Sequence, residues 1–150
     1  MEFRPYDGRS SSYDGDDIMD INELIDNFEL LDGWEEKYSY IIELGSHLEP
    51  LDEEYRTEDW KVRGCQSQVW LEPKKENEKF YFKGDSDAFI VKGLIAIVLM
   101  IYSNKSAQEI KEIEVEEIFA KLGLQEHLSP SRRNGLFSMV EKIKEYAGAC

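Results

Sequence analysis

"GDSDAFIVKGLIAIVLMIYSN", Gly84 to Asn104, changes character partway along. Its first residues are of the kind that end a strand and turn the chain. From Ala88 to Tyr102 it is apolar on nearly every side. A surface helix keeps a polar stripe, whereas a helix apolar all round must be enclosed by the rest of the protein. The spacing therefore predicts a buried central helix over Ala88–Tyr102. Gly84 ends the preceding strand, and Asp85, Ser86 and Asp87 offer side chains to cap the helix start. Inside the helix, next to Lys92, Gly93 costs about 1 kcal/mol of helix propensity against alanine. Such a glycine is read as permitting close packing.

Before this helix the pattern is that of a hairpin. Gln68–Leu71 alternates as a strand, with Val69 and Leu71 on one face and Trp70 on the other, and Phe80–Lys83 is a second strand. "PKKENEK" between them reads as a polar turn. Glu58–Val62 is a candidate third strand, and the remainder of Leu51–Gly64 lacks a period and reads as loop. Two helices precede the loop. Asp20 and Glu23 have capping-box spacing ahead of Ile21, Leu24, Ile25, Phe28 and Leu31. Asp32 and Glu35 repeat that spacing ahead of Trp34, Tyr38, Ile41 and Ile42. After the central helix, Ser106 and Glu109 cap a short helix, and Val115–Leu122 forms another, stopped by Gly123. Ser129, with Pro130 in the first turn, opens a last helix that buries Leu136, Val140, Ile143 and Tyr146 and ends at Gly148. Helices with a small set of strands give a mixed class.

The chain has 150 residues, enough for one domain with a sizeable core. Residues 1–19 are polar and aperiodic and read as a disordered or added tail; residues 20–150 read as a single domain. A net charge of −14 argues against a nucleic-acid binder and against docking on anionic membranes. The longest apolar run, Gly93–Tyr102, is too short to span a bilayer. Two cysteines make no disulfide framework, and no secretory or transit signal is legible, so a cytoplasmic location is expected.

The chemistry centres on "VRGCQSQVWLEP", Val62 to Pro73. Cys65 is the strongest nucleophile candidate; its thiolate is the reactive form, and Lys61 and Arg63 are basic neighbours that favour it. Gly64 permits an unusual backbone angle or a close approach, while Gln66, Ser67 and Gln68 can bond a partner's backbone or hold the loop. A free cysteine filling space in a core is the plain alternative. A cysteine hydrolase would need His47 or His127 as its base, but both are better read as helix-end or surface residues. Zinc or iron–sulfur ligand spacing and a phosphate-binding glycine loop are lacking. A thiol that carries a group fits better: it needs an accessible loop, and a neighbouring thiol would release the cargo as a disulfide.

"VRGCQSQVWL", "GDSDAFIVKGLIAIV" and "HLSPSRRNGL", in that order and spacing, closely resemble the SufE family of sulfur-acceptor proteins. The resemblance runs from about Ile21 to about Tyr146; the tail and Cys150 fall outside it. It implies an α+β fold, a small antiparallel sheet packed on one side by helices, shared with IscU-type scaffolds. It also implies that Cys65 accepts sulfur from the persulfide of a SufS-type or Csd-type cysteine desulfurase. The carrier would stimulate that desulfurase and pass the sulfur towards an iron–sulfur scaffold. Pyridoxal phosphate would reside on the partner, with no cofactor or metal bound here. Arg63, Gly64, Gln66, Ser67, Asp87 and Arg132 are then expected to support the loop or meet the partner. The resemblance further suggests a loop that tucks the thiol against apolar residues and extends on docking. An adaptor that binds a desulfurase or scaffold without carrying sulfur is the alternative.

Overall fold

The structure is a computed structural model that describes residues 20–65 and 67–148. The expected tail over residues 1–19, Gln66 and Cys150 lie outside the described residues. Cα proximity divides the chain after Leu30. The N-terminal part holds helix α1 (Ile21–Leu30), which opens with the expected capping box. The Glu23 N–H donates to Asp20 Oδ1 at 2.8 Å, and the Asp20 N–H donates to Glu23 Oε1 at 3.2 Å.

From Leu31 onward the elements are α2 (Gly33–Gly45), β1 (Val69–Glu76), β2 (Lys79–Ser86), α3 (Phe89–Tyr102), β3 (Lys105–Ser106), α4 (Ala107–Glu112), α5 (Val115–Leu122), α6 (Leu124–His127) and α7 (Pro130–Tyr146). The three strands form an antiparallel sheet in the order β1-β2-β3. The class is α+β, as the pattern and the resemblance implied.

Helix α3 is the centre of this unit. Leu94, Ile95, Ile97, Val98, Ile101 and Tyr102 are all buried, and the helix packs on α2, on β2 and on α7. Fully burying one such aliphatic side chain contributes roughly 1.5–3 kcal/mol, so a helix buried along most of its length anchors the core, although Phe89 at its start is exposed. Gly93 is where α2 crosses α3: a Cβ on it would stand 2.1 Å from the Ile41 carbonyl oxygen. Gly45 answers from α2, where a Cβ would stand 2.5 Å from the Gly93 nitrogen.

The hairpin is longer than its apolar pattern. β1 continues through Pro73 to Glu76, and the turn is only Asn77-Glu78, both at positive φ (51° and 69°). Two left-handed residues in succession make the tight turn that suits strand twist. β1 is an edge strand, so proline is tolerated there and its far half is polar and exposed. Gly84 does not end β2, which runs on to Ser86 with Phe80, Phe82, Gly84 and Ser86 facing inward.

Two other expectations change. Glu58–Val62 is not a strand: Glu58–Trp60 is a single 3-10 turn, followed by one antiparallel bridge from Lys61 to Trp70. The third strand is β3, paired at Lys79 and Phe80 on the other edge. The predicted Asp32/Glu35 cap does not form. Gly33 takes a left-handed angle (φ 78°), and the Asp32 N–H donates to Glu36 instead, at 3.1 Å. The Ser106/Glu109 box and the Ser129 cap form as expected.

Candidate functional site

Cys65 sits in a loop closed at its base. The Val62 N–H donates to the Val69 carbonyl at 2.8 Å, beside the Lys61–Trp70 bridge. Asp87 adds a clip: its Oδ1 accepts from the Gln68 N–H at 3.1 Å, and its own N–H donates to the Gln68 carbonyl at 3.4 Å. Trp70, on the outer face of β1, is covered by the Arg56 guanidinium, 5.6 Å from the ring centre. Arg56 bonds Asp85, which also lies 3.6 Å from Lys92 Nζ. The strand end that carries the loop is therefore pinned by packing and by charge.

These bonds also correct the expected helix cap. Ala88 is the residue at the N-cap of α3, without a side-chain cap bond. Because β2 runs on to Ser86, the side chains that follow Gly84 serve the strand end. Asp85 takes Arg56, Lys92 and the Ser86 N–H, Ser86 Oγ accepts from the Ala88 N–H at 3.2 Å, and Asp87 holds the Cys65 loop.

The tip of the loop lies on α7. Gly64 has a left-handed angle (φ 91°), and a Cβ there would stand 2.5 Å from Ser138 Oγ. Cys65 is half-buried, and its thiol donates to the Gly135 carbonyl at 3.6 Å. A Cβ on Gly135 would stand 3.3 Å from Cys65 Sγ. Beside the thiol is a cavity of about 250 Å³. Val91, Leu94, Leu136 and Met139 give it apolar walls, and Ser67, Ser129, Ser131 and Arg132 give it a polar side. Arg132 is held from α2, where the Tyr38 hydroxyl accepts from its Nη1 at 3.1 Å.

Burial pushes the Cys65 thiol above its ordinary pKa. The basic neighbours do not offset this. Arg63 is 78% exposed and pairs with Glu58 at 3.5 Å, and Lys61 pairs with the same carboxylate at 3.4 Å. The expected activation of the thiol by Lys61 and Arg63 is thus not built into this loop conformation. Neither histidine serves the thiol. His127 stacks on Trp34 with ring centres 4.5 Å apart, and His47 is exposed beyond the end of α2. Among the described residues, no group of three or more histidine, cysteine, aspartate or glutamate side chains is placed to hold a metal ion. No described helix is long and apolar enough to cross a membrane.

The structure brings Cys65, Ser67 and Arg132 to one cavity, sets Gly64 against α7, and uses Asp87 at the loop base. It turns Arg63 outward. Three residues of this region escaped the sequence reading: Gly135, Ser138 and the Tyr38 hydroxyl. Only Gly135 carried a signal, an isolated glycine inside a helical pattern.

Residues 22–147 match the protein family described as SufE, Fe-S metabolism associated domain. An uncharacterized SufE-like protein of Rhizobium etli is 53% identical over 134 residues, covering 87% of this chain and 90% of its own. Another, of Rhizobium meliloti, is 50% identical over 134 residues, covering 87% of this chain and 96% of its own. The solution structure of a hypothetical protein from Thermus thermophilus has the same fold, with a TM-score of 0.69 at 18% identity, over 86% of this chain and 94% of that one.

Proposed function

The chain belongs to the SufE family, which is associated with iron–sulfur metabolism, and from that membership we propose that it is a sulfur carrier. Cys65 takes sulfur from the persulfide of a cysteine desulfurase, stimulates that enzyme by clearing its product, and delivers the sulfur for iron–sulfur cluster assembly. The pyridoxal phosphate chemistry stays on the desulfurase. The reducing cytoplasm, where a lone thiol persists, is the compartment that suits the exchange.

The observation that carries this reading is the setting of Cys65, at the tip of a loop fixed at its base and beside a part-apolar cavity. A fixed base lets the tip present one thiol without disturbing the sheet. The cavity offers space shielded from reductants and oxidants. The reaction balances without an added oxidant. Cys65, as thiolate, attacks the outer sulfur of the donor persulfide. A new bond joins Sγ to that sulfur, and the donor's S–S bond breaks. The donor leaves as a thiolate and takes up the proton that Cys65 released. Ser67 and Arg132, on the polar side of the cavity, are the groups that would meet the transferred sulfur or the partner. Gln66 and Arg63 are proposed to meet the partner when the loop extends.

The test is the intact mass of the protein, without reductant, after incubation with a SufS-type desulfurase, pyridoxal phosphate and cysteine. A gain of one sulfur atom that is lost in Cys65→Ser supports the carrier. No gain, with the desulfurase active and bound, overturns it and favours the adaptor.

A further inference from the structure

Helix α3 is the buried centre of its unit, yet it opens on an exposed ring. Phe89, its first residue, is 74% exposed, while Ile90 and Val91, directly after it, are buried. Among the described residues one other large hydrophobic side chain is exposed, Leu30 at the end of α1. The ring does not stand on a loose segment. The Ala88 N–H donates to Ser86 Oγ at 3.2 Å, and the Lys92 N–H donates to the Ala88 carbonyl at 3.0 Å, so the backbone is fixed on both sides of Phe89. A phenyl ring on a fixed backbone has little freedom left to lose when something covers it. A lone exposed hydrophobic side chain is ordinary; the place of this one is not.

Phe89 comes two residues after Asp87, which clips the Cys65 loop at Gln68, and two before Val91, which walls the cavity beside the thiol. Helix geometry sets Cα atoms two residues apart at about 5.5 Å. A donor that hands sulfur to Cys65 must bring its own sulfur against Sγ, and so must cover the mouth of this cavity. A stable contact between two proteins covers about 800 Å² of each, a disc of about 16 Å radius. Centred on the cavity, a disc of that size takes in the start of α3. We infer that Phe89 is an anchor for the persulfide donor, and that its ring enters an apolar socket on the donor's surface.

The charges near the ring describe the rim of that socket. Asp85 is engaged by Arg56 and Lys92. Asp87 is exposed, and its carboxylate accepts from a backbone N–H rather than from a cationic side chain. It therefore presents negative charge two residues from the ring. The complementary surface is an apolar hollow with a lysine, an arginine or free N–H groups beside it. The net charge of −14 favours a partner surface of the same sign. An aromatic side chain enclosed in a pocket and ringed by polar contacts is the usual make-up of an interface hot spot. The ring does not touch the reacting sulfurs, so Phe89 is a binding residue: it fixes where the donor sits, and it leaves the transfer step to Cys65. This inference rests on Cys65 being the acceptor, but docking can be measured apart from transfer.

The experiment uses the full chain and the desulfurase of the mass measurement. Phe89→Ala removes the ring at an exposed position where alanine is the better helix former. The urea midpoint should not fall, and in a Cys150→Ser background the rate at which iodoacetamide alkylates Cys65 without donor should stay the same. The dissociation constant of the complex, read by calorimetry in a Cys65→Ser background that blocks transfer, should rise about ten- to thirtyfold, the scale of one aromatic hot spot. With Cys65 present, the carrier concentration that gives half the maximal rate of sulfur loading should rise by a similar factor, while the maximal rate holds. Phe89→Leu should recover part of the affinity, and Phe89→Gln, a second helix former without a ring, should behave as Phe89→Ala does. An unchanged dissociation constant in both ringless variants overturns the anchor. Loss of self-association in sedimentation, with donor affinity unchanged, overturns it too and gives the ring to a second copy of the chain. The two readings also separate. A ring-dependent complex in which Cys65 gains no sulfur keeps the anchor and ends the carrier. A Cys65 that loads equally well with or without the ring keeps the carrier and ends the anchor.

Discussion

The same device, a glycine admitting a close neighbour, is used twice in this protein with opposite consequences. At the crossing of α2 and α3, Gly45 and Gly93 bring backbone against backbone, and both glycines are buried. At the loop on α7, Gly64 and Gly135 admit side-chain atoms, Ser138 Oγ and Cys65 Sγ. Gly64 is exposed and Cys65 half-buried. Parting the first contact would open the core to water and move two helices. Parting the second would move a few residues that water already reaches. What distinguishes a structural contact from a releasable one is thus how much apolar surface its opening exposes and whether the neighbour can turn aside.

The largest effect is expected at the crossing. Gly93→Ala places a methyl 2.1 Å from a backbone oxygen that cannot rotate away. Overpacking of that kind costs about 3 kcal/mol or more, well above the roughly 1 kcal/mol that alanine returns in helix propensity. Urea unfolding should show a lower midpoint for the whole protein. A Gly93→Ala protein as stable as the parent would mean that α2 and α3 slide apart freely, and the contrast with the loop would be lost.

A smaller, local effect is expected at the base of the loop. Asp87→Ala removes the carboxylate that accepts from the Gln68 N–H at 3.1 Å. Hydrogen exchange at Gln68 should rise roughly fivefold, the scale of one net hydrogen bond, while the urea midpoint barely moves. A fall in global stability as large as that of Gly93→Ala would show that the loop base belongs to the core.

This contrast was only half legible in the sequence. The crossing announced itself, because Gly93 interrupts a helix that is otherwise apolar. The caps at Asp20, Ser106 and Ser129 were legible too, since a cap is made by residues three apart. The far half of β1 was not: an edge strand exposes its polar residues, and "PKKE" has no apolar alternation to report. β3 is two residues long and paired across a helix, so it leaves no period at all. The prediction that Asp85, Ser86 and Asp87 cap α3 failed because strand β2 outlasts its apolar residues: Asp85 is drawn to Arg56 and Lys92, Asp87 to Gln68, and Ser86 to the N–H of Ala88, ahead of the helix. In the site, Cys65 and its loop were legible, but their support on α7 was not. Gly135 is seventy positions from Cys65, and no spacing rule joins residues so far apart.

The smallest effect is expected from Arg63, and it separates two accounts of the thiol. On sequence alone, a guanidinium two positions from Cys65 favours the thiolate. In the structure that guanidinium is exposed and faces Glu58, at 3.5 Å. Charges in water at such a surface are screened, and pairs of this kind contribute little. Burial is what raises the thiol's pKa. A raised pKa lowers the thiolate fraction at neutral pH, so alkylation should reach half its limiting rate above the pH expected of a free cysteine. Arg63→Gln should leave that midpoint where it is, whereas Gly135→Ala should lower it. If Arg63→Gln instead raises the midpoint and Gly135→Ala does nothing, neighbouring charge governs the thiol, and the contact on α7 is packing of the same permanent kind as the helix crossing.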